Sequence, residues 1–280
     1  VVTSAGEFGP AHFSRTDETA TIHGVLGDQQ AALFGQGCWE AGSSKNTYGT
    51  GCFLLLNAGM QRPSTPEGLL TTLAADRTGA PCYALEGSVF AGGTVIQWLR
   101  DQLGIIDDAA ETEAIARTVE DTGGVVLVPA FAGLGAPHWD PDARAALLGL
   151  TRGTTRAHIV RAALDGIAFQ CTDLITAIRT ESGLAVDELL VDGGAAANDY
   201  LMQRQADLAG VRVVRPRNLQ TTARGAAAIA AVGAGLIDDP GDAGAFQDAP
   251  RTFDAALAAR GRAEEMASWS DAVRRVRTAY

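Results

Sequence analysis

The sequence predicts an α/β fold, a mixed sheet with helices on both faces. Three observations carry this expectation. Apolar runs of strand length alternate with segments of helical periodicity along most of the 280 residues. Residues 156–181 form the clearest helix: Val160, Leu164, Ile167, Cys171, Leu174 and Ile178 recur at three- and four-residue spacing. Glycine turns, Gly49-Thr50-Gly51, Gly92-Gly93 and Gly193-Gly194, stand where one element hands over to the next.

Taken in order, residues 1–20 are polar and contain Gly, Thr and Ser, so they read as a surface loop. Residues 21–26 make a short apolar strand. Asp28 heads a short helix running to about Gln36, with Gly35 and Gly37 as terminators. Gly42-Ser43-Ser44 is the expected crossing into the next domain. Further strands are expected at 52–57, 69–74, 82–87, 124–129, 145–150, 188–192 and 211–215. Helices are expected at 93–103, 109–119, 156–181, 198–209 and 222–236. The long helix can be capped by Thr154 or Thr155, and Gly183 stops it. The Ala-rich stretch 223–234 offers a small-residue surface for close packing. Residues 238–251, rich in Asp, Gly, Ala and Pro, read as a loop, and 253–277 as an amphipathic helical tail with exposed Arg and Glu.

A net charge of −11 argues against a nucleic-acid or anionic-membrane partner, because phosphate surfaces demand a basic face. A nucleotide can still bind through backbone amides and local dipoles. No apolar stretch approaches transmembrane length, and no signal peptide precedes the first polar residues. Cys38, Cys52, Cys82 and Cys171 are scattered without CxxC spacing or clustered His, which reads as reduced core thiols in the cytoplasm. With 33 glycines, well above the usual ~7%, single Gly-x-Gly matches carry little weight.

Asp28 and the Gly49-Thr50-Gly51 turn carry more weight as a pair. A carboxylate can take a proton from a hydroxyl group, and a bare glycine turn can cradle phosphate. Together they are the minimum equipment of a small-molecule kinase.

The motifs from Gly27-Asp28-Gln29-Gln30-Ala31-Ala32-Leu33-Phe34-Gly35-Gln36 through Asn46-Thr47-Tyr48-Gly49-Thr50-Gly51-Cys52-Phe53 resemble the glycerol kinases of the FGGY carbohydrate kinase family. Ala84-Leu85-Glu86-Gly87, Ile96-Gln97-Trp98-Leu99-Arg100-Asp101, Gly133-Leu134-Gly135-Ala136-Pro137-His138-Trp139-Asp140 and Val191-Asp192-Gly193-Gly194-Ala195-Ala196-Ala197-Asn198 follow in the same order. The resemblance covers roughly residues 20–236. It implies a ribonuclease-H-like fold of the actin/hexokinase/Hsp70 superfamily. It also implies the division 1–40 as tail of the N-terminal domain and hinge, 41–237 as the C-terminal, ATP-binding domain, and 238–280 as loop and helical tail.

In function, the resemblance implies transfer of a phosphoryl group from ATP, with Mg²⁺, to glycerol. Asp28 would be the base, with Gln29 and Phe53 against glycerol. Thr50, Gly93, Gln97, Gly194 and Asn198 would meet the nucleotide. From the residues alone, Asp28 also reads as a helix N-cap, Thr50 as part of a ligand-free turn, Gly93 as a packing glycine and Asn198 as the cap of its helix. His138 reads as a surface-loop residue. Val1 is no initiator Met, and the Asp-x-Gly-Thr loop, Arg-Glu pair and Tyr of the family's first domain have no counterpart here. The chain is therefore read as the later half of its parent and is expected to be inactive alone. Segment 12–19, with one Arg and two acids, does not match the basic loop tied to fructose 1,6-bisphosphate in many bacterial relatives. Homo-oligomer formation is compatible with all of this. Two other readings stand beside it, another FGGY sugar kinase and a non-catalytic, actin-like nucleotide-binding module.

Overall fold

A seven-stranded mixed sheet organises the computed structural model, which describes residues 2–16, 18–65, 67–242 and 249–278. Its strands are β3 (Ser44–Tyr48), β4 (Cys52–Gly59), β5 (Leu70–Ala75), β6 (Pro81–Val89), β9 (Glu188–Asp192), β10 (Arg212–Arg215) and β11 (Arg251–Phe253). They lie in the order β11-β10-β9-β3-β4-β6-β5. The β10–β9 and β9–β3 pairs are parallel and the others antiparallel. Two small antiparallel pairs stand apart, β1 (Pro10–His12) with β2 (Thr19–Thr21) and β7 (Val126–Val128) with β8 (Ala146–Leu148).

Helices cover both faces, as the alternation predicts. One face carries α1 (Asp28–Gly35) and α6 (Thr221–Gly233). The other carries α2 (Gly93–Asp101), α3 (Glu111–Ala116), α4 (Arg156–Ala177), α5 (Asp199–Ala209) and α7 (Ala259–Val276). Strand β4 shows how the pleat sorts side chains. Leu54 and Leu56 enter the large core with α4, whereas Leu55 joins Leu33 of α1 in a separate cluster. The α4 helix buries most of its length. It is capped by Thr155, whose hydroxyl and amide both engage His158, and Gly183 ends the extension beyond it at φ 69°.

Strand β3 is absent from the sequence expectations, which give only a crossing at 42–44. Its sequence Ser-Lys-Asn-Thr-Tyr has no apolar alternation, yet Ser44, Lys45, Asn46 and Tyr48 are all buried. Ser44, Asn46 and Tyr48 each donate a side-chain hydrogen bond, which offsets the cost of burying them, although Asn46 Oδ1 accepts none. Ser44 Oγ donates to the Glu188 carbonyl at 2.9 Å, Asn46 Nδ2 to Cys171 Sγ at 3.2 Å, and Tyr48 OH to Gln205 Oε1 at 2.8 Å.

The two ends of the chain also depart from expectation. Residues 1–20 contain the β1–β2 hairpin instead of a plain loop. The expected strand 21–26 reduces to the end of β2 and an isolated bridge between Ala5 and Gly24, leaving Ile22 and Val25 exposed. Residues 251–253 are strand β11, and the last helix begins at Ala259, not 253. The cause is Phe253, which is buried against the core with Arg215 and Arg251 over its ring. Residues 243–248 of the expected loop lie outside the described residues. All four cysteines are free and buried. Among the described residues no helix is long and apolar enough to cross a membrane.

Helix α1 sits on α6 at a glycine contact. A Cβ on Gly35 would lie 2.0 Å from the Thr221 carbonyl oxygen, and one on Gly225 1.9 Å from that of Ala31. Arg224 Nε donates to the Gly35 carbonyl at 2.6 Å. Buried Asp192, at the end of β9, accepts from Gln36 Nε2 at 2.9 Å and from the Thr221 hydroxyl, tying both helices to the sheet. The Gly225→Ala variant should therefore lose about 1–3 kcal/mol or more of stability from overpacking. Urea unfolding checks this, and a loss under about 0.5 kcal/mol, the level of a neutral surface change, contradicts the glycine contact.

Candidate active site

Parallel strands β3 and β9 end side by side, and a cavity of about 550 Å³ opens beyond their carboxyl ends. That is the usual place for a ligand in such a sheet, and the volume suits one. Three glycine elements meet there. The Gly49-Thr50-Gly51 turn leaves β3, Gly93 starts α2, and Gly194 follows β9. Thr50, Gly93, Gln97, Gly194 and Asn198 all line the cavity, so the structure brings together the five residues assigned to nucleotide from sequence.

The two glycines after β9 do different things. Gly193 has φ 86°, and a Cβ there would lie 2.5 Å from the Tyr48 carbonyl oxygen. Glycine is required at 193 by backbone geometry and by strand packing. At Gly194 a Cβ meets nothing within 4 Å, and no unusual backbone angle demands glycine. Its bare surface faces the cavity.

The helix N-termini are less open than sequence reasoning supposes. The amides of Gly92 and Thr94 donate to the Thr50 carbonyl at 2.9 and 3.3 Å, and the Gly93 amide donates to the Gly49 carbonyl at 2.7 Å. The first amides of α2 thus stitch it to the turn, and a dipole-driven phosphate seat on them is not supported. A Cβ on Gly93 would lie 2.9 Å from Gly49 O, so glycine serves packing there as well. Asn198 caps α5, accepting from Leu201 N at 2.9 Å while its Nδ2 donates to Thr112 Oγ1 at 3.0 Å. Asp199 N donates to Glu113 Oε2 at 2.9 Å. Exposed Gln97, the Gly194 face and the α3 wall remain for a ligand.

Sequence reasoning missed that wall. Arg100 of α2, Asp108, and Thr112 and Glu113 of α3 line the cavity; the helices at 93–103 and 109–119 are legible, but no spacing marks these side chains as facing a ligand.

Asp28, Gln29 and Phe53 do not line this cavity. They gather on the α1 face. Gly27 occupies the N-cap position without a side-chain cap, so Asp28 is the first helical residue and not the cap. Its carboxylate is exposed and accepts from Gln29 N at 2.8 Å. Phe53 is half-buried and pairs with Thr47 across β3 and β4. Between these groups lies Lys45, also missed. Its Nζ donates to Gln29 Oε1 at 2.5 Å, Thr47 Oγ1 at 2.9 Å and the Phe53 carbonyl at 3.2 Å. Burial pulls the Lys45 ammonium down to about 8, opposed by Asp192, Cys38, Glu86 and Asp28. Burial pushes the Glu86 carboxyl up, with Lys45 opposing. His138 stands in a loop, as expected, but is half-buried, with Nε2 3.5 Å from Asp173 Oδ2.

Residues 44–234 match the model of the FGGY family of carbohydrate kinases, C-terminal domain. A glycerol kinase of Rhodopirellula baltica is 52% identical over 268 residues, covering 96% of this chain and 50% of that protein. One from Alkalilimnicola ehrlichii is 55% identical over 278 residues, 98% of this chain and 55% of its own length. The chain spans about half the length of the curated relatives it matches. The solved Plasmodium falciparum glycerol kinase with ADP superposes with a TM-score of 0.88 at 34% identity, over 98% of this chain and 55% of that one. A Lactobacillus acidophilus xylulose kinase, 21% identical with a TM-score of 0.77 over 91% of this chain and 51% of its own, shares the fold. The fold is thus that of the actin/hexokinase/Hsp70 superfamily.

The glycine pair gives a direct check. Gly193→Ala should lower the melting temperature by several degrees, whereas Gly194→Val should leave it within about 1 °C, because only the first new side chain meets backbone. Equal losses from both variants in calorimetry would remove the distinction.

Proposed function

The chain belongs to the FGGY family of carbohydrate kinases, and on that premise we propose that it is the C-terminal, nucleotide-binding part of a glycerol kinase. The reaction is ATP plus glycerol to ADP plus sn-glycerol 3-phosphate. The convergence of Thr50, Gly93, Gln97, Gly194 and Asn198, from distant sequence, on one cavity supports the nucleotide half of this reading. Identities of 52% and 55% to the two glycerol kinases support the substrate.

A nucleotide fits the residues present. The open Gly194 face admits a flat base against the backbone, and Gln97 and Thr50 offer polar side chains along the same cavity. Asn198 acts through its cap, holding the start of α5 as one wall. Mg²⁺ bound to the nucleotide would supply charge that offsets its phosphates. Among the described residues no three His, Cys, Asp or Glu side chains converge as a metal site. Asp28 accepts the proton of the attacking hydroxyl group as its oxygen bonds the γ-phosphorus and ADP leaves. Gln29 hydrogen-bonds the acceptor, and Phe53 lies against its carbon chain.

Residues 1–40 then belong to the tail of the preceding domain and the hinge, 41–237 to the nucleotide domain, and 238–280 to a loop and helical tail. Four free thiols suit a reducing compartment and support a cytoplasmic kinase.

In the complete kinase, Asp28→Asn should lower kcat about 10²–10⁴-fold, the usual cost of losing a general base, with KM for ATP little changed. A coupled ADP-release assay with glycerol and a panel of other polyols measures this. A variant within threefold of wild type would demote Asp28 to a structural role, and turnover selective for another polyol would overturn glycerol as substrate.

A further inference from the structure

We propose that Lys45 is a positioning residue of the acceptor site, locking the Gln29 amide so that its NH₂ end faces Asp28 and donates to the acceptor hydroxyl group. The inference rests on the proposed function, but its first observation does not. An ammonium has only donors, so the Gln29 atom 2.5 Å from Lys45 Nζ must be the carbonyl oxygen. The amide cannot flip without facing its own NH₂ to the cation. Gln29 Nε2 is thereby aimed at Asp28 Oδ2, 3.5 Å away, while Gln29 N holds Oδ1 at 2.8 Å.

That 3.5 Å contact is at the outer limit of a hydrogen bond. A hydroxyl group beside both residues would accept from Gln29 Nε2 and give its proton to Asp28, improving on the direct contact. Lys45 thus turns Gln29 from a group that could donate or accept into a donor. It also holds the Phe53 carbonyl, so one buried cation bonds two of the three residues assigned to the acceptor and reaches the third, Asp28, through Gln29.

Fold stability alone is a poor reason for Lys45. A fully buried charge costs desolvation, and apolar replacements of buried ionic groups are often neutral or stabilising. Its charged surroundings come from several elements. Asp28 stands at the start of α1, Cys38 follows that helix, Glu86 lies on β6, and Asp192 on β9 with Glu188 at the strand's other end. With its proton leaving near pH 8, the clamp is intact below that pH and loosens above it.

The test uses the complete kinase. Lys45→Met should lower kcat/KM for glycerol about 100-fold, the scale of a misplaced reacting group, and leave KM for ATP within twofold. Lys45→Arg, which keeps charge and donors, should recover at least part of the loss. It should also abolish the decline above about pH 8 that the Lys45 clamp predicts for wild type. Should Lys45→Arg fail to fold, the Lys45→Met comparison still decides. A loss under threefold, or equal damage to glycerol and ATP parameters, overturns the proposal. Absence of glycerol-dependent turnover in wild type overturns the proposed function instead. In that event NMR of the Gln29 side-chain amide in this chain decides the clamp. Its resonances should titrate near pH 8 and stop doing so in Lys45→Met, and static resonances in wild type contradict it.

Discussion

The buried ammonium of Lys45 bonds Gln29, Thr47 and Phe53 at the centre of the sheet, and much of the site follows from the strand that carries it. Strand β3 lies between β9 and β4, so both its faces are covered. The pleat sends Lys45 and Thr47 to the α1 face and Asn46 and Tyr48 to the α4 and α5 face. One five-residue strand therefore supports the residues proposed for the acceptor on one side and borders the cavity proposed for the nucleotide on the other. Its carboxyl end runs straight into the Gly49-Thr50-Gly51 turn, so a shift of register would move both at once.

The cavity is shaped mainly by backbone fit. Gly193 and Gly93 are glycine because neighbouring carbonyl oxygens leave no room for a side chain, whereas Gly194 is bare towards open space. The helix starts that border the cavity are already satisfied, α2 by the turn's carbonyls and α5 by Asn198 and Glu113. The cavity therefore offers a ligand its shape, exposed side chains and an open glycine face more than free helix dipoles.

Much of this was legible in the sequence, and the exceptions share a cause. Elements with a strong apolar period, such as α4 and β9, stand where periodicity puts them. Strand β3 escaped because its burial is sustained by hydrogen bonds from Ser44, Asn46 and Tyr48, which leave no hydropathy signal. Strand β11 escaped because it is a three-residue edge held by Phe253. In the site, glycine turns and their order pointed to the cavity. The α3 wall and Lys45 did not show, since which way a Thr, Glu or Lys faces is decided by packing between distant segments. The cap reading of Asp28 failed by one residue, because Gly27 takes the non-helical position.

The central claim is that one cavity at the ends of β3 and β9 holds the nucleotide. An NMR titration of this chain with ADP and Mg²⁺ tests it most directly. The account predicts saturable shifts at Thr50, Gly93, Gln97, Gly194 and Asn198, little change at Asp28 and Gln29, and loss of the effect in Gly194→Val. A folded chain whose spectrum is unmoved at millimolar ADP, or a Gly194→Val variant that binds as well as wild type, would contradict it.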